Sequence, residues 1–185
     1  MTSIAHPSSC AVVYFLLLVL SVSCNEKELS KSKLQYFDLA RFVSDEAKKL
    51  TAQKLQVEKT VFLNGKEEKK RVMIDNWTNE LNAFKDADIN KKSFLSKFMV
   101  DSIRNDDNLL IRYTALDKKF RTRELSIQYD ADKNPKKITA TVLTSNVLYS
   151  SNQQLIYETG KGYWISGKQA IRFLESDSFY VNVRF

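Results

Sequence analysis

Apolar residues recur along this chain in two rhythms, first at helical spacing and later at strand spacing. From Lys33 to Gln53, Tyr36, Phe37, Ala40, Val43, Ala47 and Leu50 fall at steps of three and four, with Asp45, Lys48 and Lys49 between them. That period draws one apolar stripe along a helix and predicts that the stripe packs on a core. Val57 to Ile74 reads as a β-hairpin. Asn64-Gly65 separates Val61-Phe62-Leu63 from Val72-Met73-Ile74, and both turn residues tolerate the positive φ of a tight hairpin turn. The charged run Lys66 to Arg71 either lengthens that turn or forms an exposed strand arm. Asp75 is a candidate N-cap for a helix over Asn76 to Ala87, with Trp77, Leu81 and Phe84 on one side. Phe94, Leu95, Phe98 and Met99 predict a further helical turn within Lys91 to Met99.

The character changes at Asn108. β-Branched and aromatic residues dominate, and turn signals recur at short intervals. The predicted strands are Leu109–Ala115, Arg123–Tyr129, Lys137–Thr144, Leu155–Thr159, Tyr163–Ser166 and Phe179–Phe185. The turns fall at Asp130 to Pro135, Ser150-Ser151-Asn152, Gly160-Lys161-Gly162 and Ser176-Asp177-Ser178. Parallel strands need crossovers of a dozen or more residues, so these short connections predict an antiparallel meander. Helices followed by a run of strands make an α+β domain, with N-terminal helices packed on one face of a mainly antiparallel sheet. No Pro/Gly-rich linker interrupts residues 33–185, which are therefore expected to form a single domain.

The apolar run Ala11 to Val22 is too short for a membrane span, which takes about 20 residues, and suits the core of a signal peptide. It leads through Leu16-Leu17-Leu18-Val19-Leu20-Ser21-Val22-Ser23 to Cys24, after which polar sequence begins at once with Asn25-Glu26-Lys27-Glu28. This arrangement resembles the lipobox of bacterial lipoproteins. The resemblance implies removal of residues 1–23 as a signal peptide and a diacylglyceryl group on the Cys24 sulfur, with further acylation such as palmitate. Residues 24–32 would then be a tether. Two or more acyl chains hold a protein firmly on a bilayer. Asn25, in place of the Asp that favours inner-membrane retention, leans the resemblance toward the outer membrane of a bacterial envelope, on either its periplasmic or its surface side. An ordinary secretory peptide cut nearby is the alternative.

Cleavage before Cys24 would remove His6 and Cys10, the only histidine and the only other cysteine. Ser-His-Asp triads, Cys-His pairs, intrachain disulfides and His or Cys ligation of metals would all go with them. No cofactor or metal is expected. The formal charge of +7 suits anionic headgroups or acidic glycans, and nucleic acid is not an expected partner for an envelope protein.

Three groups of residues bear on chemistry. Asp130, Asp132 and Asn134 alternate like calcium ligands, but Pro135 and Thr141 stand where an EF-hand needs Gly and Glu, and a hairpin turn accounts for the same residues. Glu158 with Glu175 or Asp177 is a conceivable carboxylate pair for glycoside hydrolysis. Tyr157, Tyr163 and Trp164 flank Gly160-Lys161-Gly162 and offer aromatic faces to a sugar ring or a peptide. The expected function is a lipid-anchored, non-enzymatic binding or assembly module of the envelope, with these three aromatics as ligand-binding candidates and no catalytic residues. Its partners would be the membrane, envelope proteins or glycans. The alternatives are a carrier of an apolar or lipidated ligand, and a carboxylate-dependent glycoside hydrolase.

Overall fold

The computed structural model describes residues 35–105, 108–174 and 176–185. The expectations for the signal peptide, Cys24 and the tether lie outside the described residues, as does Glu175.

Helix α1 (Leu39–Gln53) starts where the Asp38 carboxylate accepts the Arg41 backbone N–H at 3.0 Å, and it stops at Lys54 in a left-handed conformation. Val43, Ala47 and Leu50 of the predicted stripe are buried, joined by Leu39, which the stripe did not include, whereas Ala40 is only half-buried. Strands β1 (Gln56–Leu63) and β2 (Lys66–Met73) form the expected hairpin. Asn64 and Gly65 turn it with φ of 50° and 82°. The helix predicted over Asn76 to Ala87 is broken at Leu81 into α2 (Trp77–Glu80) and α3 (Asn82–Asp86), with the Asn76 side chain, not Asp75, as the first cap.

Seven strands follow: β3 (Phe98–Asn105), β4 (Asn108–Ala115), β5 (Thr122–Tyr129), β6 (Pro135–Ser145), β7 (Tyr149–Glu158), β8 (Gly162–Ile171) and β9 (Asp177–Arg184). Two expectations are corrected here. The helical turn predicted over Lys91 to Met99 is a short 3-10 segment, Lys92–Phe94, followed by the unpredicted β3. Ser150-Ser151-Asn152 is not a turn but part of β7, paired residue by residue with Ser145 to Leu143 on one side and with Ala170 to Lys168 on the other. Cross-strand pairing overrides the weak local preference of those polar residues.

Among the described residues, nine strands form one antiparallel sheet in the order β2-β1-β9-β8-β7-β6-β5-β4-β3. From β3 to β9 it is a meander. The early hairpin then joins the last strand, with Val61 opposite Val181 and Lys59 opposite Val183. Register assigns the faces. Leu125, Ala140, Leu155, Ile165 and Val181 form one row across five strands, and Ile127, Ile138, Tyr157, Tyr163 and Val183 form the next row on the same face. Most of these side chains join Leu39, Val43, Trp77, Leu81 and Phe84 in one buried cluster. The intervening rows point to the second face. One runs Ser126, Thr139, Ile156, Trp164, Asn182 and Thr60.

Candidate functional site

The aromatic stretch at the β7–β8 turn is divided by strand alternation. Successive side chains of a strand point to opposite faces, and the register pairs Tyr157 with Tyr163 and Ile156 with Trp164. Tyr157 and Tyr163 are therefore turned into the cluster, where they are 3% and 4% exposed. The Tyr157 ring meets Phe42 and Phe84 edge-on, each at 5.9 Å, and its hydroxyl donates to Glu46 at 2.6 Å. The Tyr163 ring meets Phe84 at 5.8 Å, and its hydroxyl donates to Glu80, which also accepts from the Lys59 ammonium at 2.6 Å. Burial first, and then the neighbouring carboxylates, hold both phenols protonated far above the ordinary range. The three predicted aromatics thus do not form one exposed surface. Two tie the core to its polar partners, and only Trp164 lies on the second face.

On that face Trp164 belongs to a ladder that the local sequence does not reveal. Its indole stacks on Tyr180 at 4.9 Å and 15°, and Tyr180 stacks on Phe62 at 5.0 Å and 4°. The Tyr180 hydroxyl donates to Glu67, and that bond is the main cause holding the phenol proton above its usual range. The stacking partner Tyr180 is paired with Ser166, on the side of Trp164 remote from Gly162, which shares this face of β8. Over Gly162 lies a recess of about 500 Å³, within the size range of small-ligand sites. Ile156 and Trp164 give it apolar walls. Glu158, Lys161, Asn182 and Arg184 give it polar groups of both signs.

Gly162 lets β8 and β9 approach closely beneath this recess. Its φ is +143°, and a Cβ built there would lie 2.0 Å from the carbonyl oxygen of Val183. The site therefore keeps bare backbone between Glu158 and Arg184, its register partners on either side. Glu158 receives Lys137 at 3.0 Å and Lys161 at 3.3 Å, and these cations hold its carboxyl below the usual range. It is accordingly an acceptor at neutral pH and a poor proton donor.

The other candidates fall elsewhere. Glu158 lies opposite Gly162, whereas Asp177 lies opposite Gln169, seven residues further along β8. At about 3.3 Å per residue the two are about 23 Å apart, well beyond the roughly 5–9.5 Å a glycosidase pair requires. The Asp130 carboxylate accepts the Asn134 backbone N–H at 2.8 Å, and Lys133 takes φ 63°, which is the hairpin-turn arrangement. Among the described residues no group of three or more His, Cys, Asp or Glu side chains is clustered to hold a metal ion. Asn182 and Arg184 were within reach of sequence reasoning, since Phe179 to Phe185 alternates. Phe62 was not, because it meets Tyr180 only through the pairing of β1 with β9. No family model, no curated protein and no solved structure matches the chain.

Proposed function

We propose that this protein is a lipid-anchored, non-enzymatic binding module of the bacterial cell envelope, and that it takes a glycan at the recess beside Trp164. One observation carries the reading: an indole backed by Tyr180 stands beside bare Gly162 backbone, with Asn182, Arg184 and the ion-paired Glu158 around it. Saccharides bind by laying an apolar ring face on an aromatic ring while their hydroxyls meet polar groups at the edge. Arg184 and Lys161, both exposed, would favour a carboxylate-bearing sugar. In this reading the helices cover the clustered face of the sheet and leave the second face to the ligand. The interior space an apolar-ligand carrier would use is occupied around Tyr157 and Tyr163 by Phe84. The lipobox-like sequence ending at Cys24 supports the anchor.

Titration of the chain with oligosaccharide fragments of peptidoglycan and of outer-membrane glycolipids tests the site. Trp164→Ala should weaken any such binding on the order of tenfold or more, the worth of one large apolar contact surface. Binding that persists unchanged in Trp164→Ala would remove the recess from the account.

A further inference from the structure

The largest exposed apolar side chains gather at one end of the sheet, opposite the recess. The turns β4–β5, β6–β7 and β8–β9 alternate with the others along the meander and therefore share that end. Val147 and Leu148 form the β6–β7 tip and are 78% and 63% exposed; Phe173 and Leu174 form the β8–β9 tip and are 90% and 68% exposed. The two tips are joined, because the Arg172 backbone N–H donates to the Leu148 carbonyl at 2.8 Å. Leu116, at the start of the β4–β5 turn, is also exposed. Four large apolar side chains on adjoining hairpin tips are not the scattered singles of an ordinary surface.

We infer that these tips dip into the interfacial layer of a lipid bilayer. Three observations favour lipid over a protein partner. First, the apolar groups project on hairpin tips: Phe173 and Leu174 stand out beyond the shallow, open recess of about 320 Å³ that Val147 and Leu148 line with Ile171 and Arg172. Phe173 takes φ 71°, a conformation that a bulky residue rarely adopts, and holds its ring in water. Second, several backbone groups of the tips are satisfied internally, which lowers the cost of entering an apolar layer. The Asn146 side-chain oxygen accepts from the N–H groups of Leu148 and Tyr149, at 2.9 and 2.8 Å; Asn146 N–H reaches Tyr149 O at 2.8 Å, and Leu174 N–H reaches Ile171 O at 3.0 Å. Third, cations flank the apolar groups: Arg172 lies 5.1 Å from the Phe173 ring, and Lys118, Lys119 and Arg121 are exposed in the neighbouring turn. Of the acidic residues at this end, Asp117 and Asp177 are engaged by the Lys119 N–H and the Asn64 amide, and Glu175 follows Leu174 in the sequence. Anionic headgroups complement such a rim.

The path of the chain agrees. Gln35, where the described structure begins, accepts the backbone N–H of Ser96, two residues before β3, and Phe98 is paired with Ala115 at this same end. Cys24 is eleven residues upstream, a reach of up to about 36–40 Å. This last point rests on the anchor proposed above; the tips do not. Docked in this way, the sheet would hold the recess roughly 30 Å from the lipid, the length of β8 at about 3.3 Å per residue.

The test uses the full chain reconstituted with vesicles of phosphatidylcholine and phosphatidylglycerol carrying bromine on their acyl chains. Phe173→Trp adds a reporter at the tip and Asp132→Trp one at the far end, each read against the parent's own tryptophans. Quenching by bromolipid at 173 and not at 132, reduced on omitting phosphatidylglycerol, is the expected result. No quenching at 173, or equal quenching at both positions, overturns the proposal. Shielding of 173 from iodide without bromolipid quenching would mean that protein covers the tips, and would overturn it too. The intact mass at Cys24 is measured on the same samples, so quenching at 173 with an unmodified cysteine would sink the anchor and leave the tips standing.

Discussion

Gly162→Ala is the substitution that most sharply probes the architecture under the recess. A methyl at this position would sit 2.0 Å from the Val183 carbonyl oxygen, 3.0 Å from its carbon and 3.1 Å from Arg184 Cα. All three contacts are backbone, so no side chain can swing aside. The conflict is relieved only by moving β9 away from β8 or by rotating residue 162 out of φ +143°. Residual strain in such a conformation costs about 1–3 kcal/mol. Loss of one or two ladder hydrogen bonds between Gly162 and Arg184 adds about 0.5–1.5 kcal/mol each. The sum is roughly 1.5–6 kcal/mol, which for a chain of this size lowers the melting temperature by about 3–24 °C. Gly65 and Gly160 are internal controls. Both have positive φ but nothing within 4 Å of a Cβ, so alanine there meets only the conformational term of about 1–2 kcal/mol. Thermal unfolding followed by far-ultraviolet circular dichroism compares the three variants. If Gly162→Ala melts within a degree or two of Gly65→Ala, β8 and β9 do not approach as described and the floor of the recess is wrong.

The two tryptophans should behave differently: Trp77→Ala, at 1% exposure in the core, is expected to cost about 3–5 kcal/mol, whereas half-buried Trp164→Ala should cost less than half of that by chemical denaturation. Glu80→Ala should destabilise by about 1–3 kcal/mol in the same assay, because it strips the partner from both the buried Tyr163 hydroxyl and Lys59. Alkaline titration carries a definite sign. Tyr157 and Tyr163 have folded values raised above the ordinary 10.0, and burial pushes Tyr129 up to about 12, so the stability they confer is full below pH 10 and is lost as pH rises through that range. Phenolate absorbance at these sites should thus appear together with unfolding, and ionisation of every tyrosine near pH 10 in a folded chain would contradict the burial. Cys24→Ala should move the protein from the detergent phase to the aqueous phase on temperature-induced partition, and retention in detergent would argue against the anchor.

What the chain discloses by local rules and what it hides follows from the range of the interactions. Helix α1 is legible because Val43, Ala47 and Leu50 repeat within one element, although Leu39, buried beside them, falls outside the stripe as read. The β1–β2 hairpin is legible because Asn64-Gly65 encodes its own turn. Strand β3 is obscured by Phe94, Leu95 and Phe98, whose spacing imitates a helix; as an edge strand it draws its pairing from β4 alone. In β7, Ser150, Ser151 and Asn152 look like a turn, and only their partners on β6 and β8 make them strand. The site divides in the same way. Strand parity across the Gly160–Gly162 turn already separates Trp164 from Tyr157 and Tyr163 once that hairpin's register is known. The company Trp164 keeps depends on β9, and Phe62 enters through a contact more than a hundred residues away along the chain.

The proposed function requires that ligand meet Trp164 on the second face of the sheet. The chain has two indoles, one on that face and one, Trp77, sealed in the core, so each serves as the other's control. The most direct measurement follows both indole N–H resonances by NMR during titration with peptidoglycan fragments and glycolipid oligosaccharides. The Trp164 resonance should shift progressively and saturate while that of Trp77 stays in place. An unmoved Trp164 signal in the presence of a saccharide shown by calorimetry to bind would contradict the proposal.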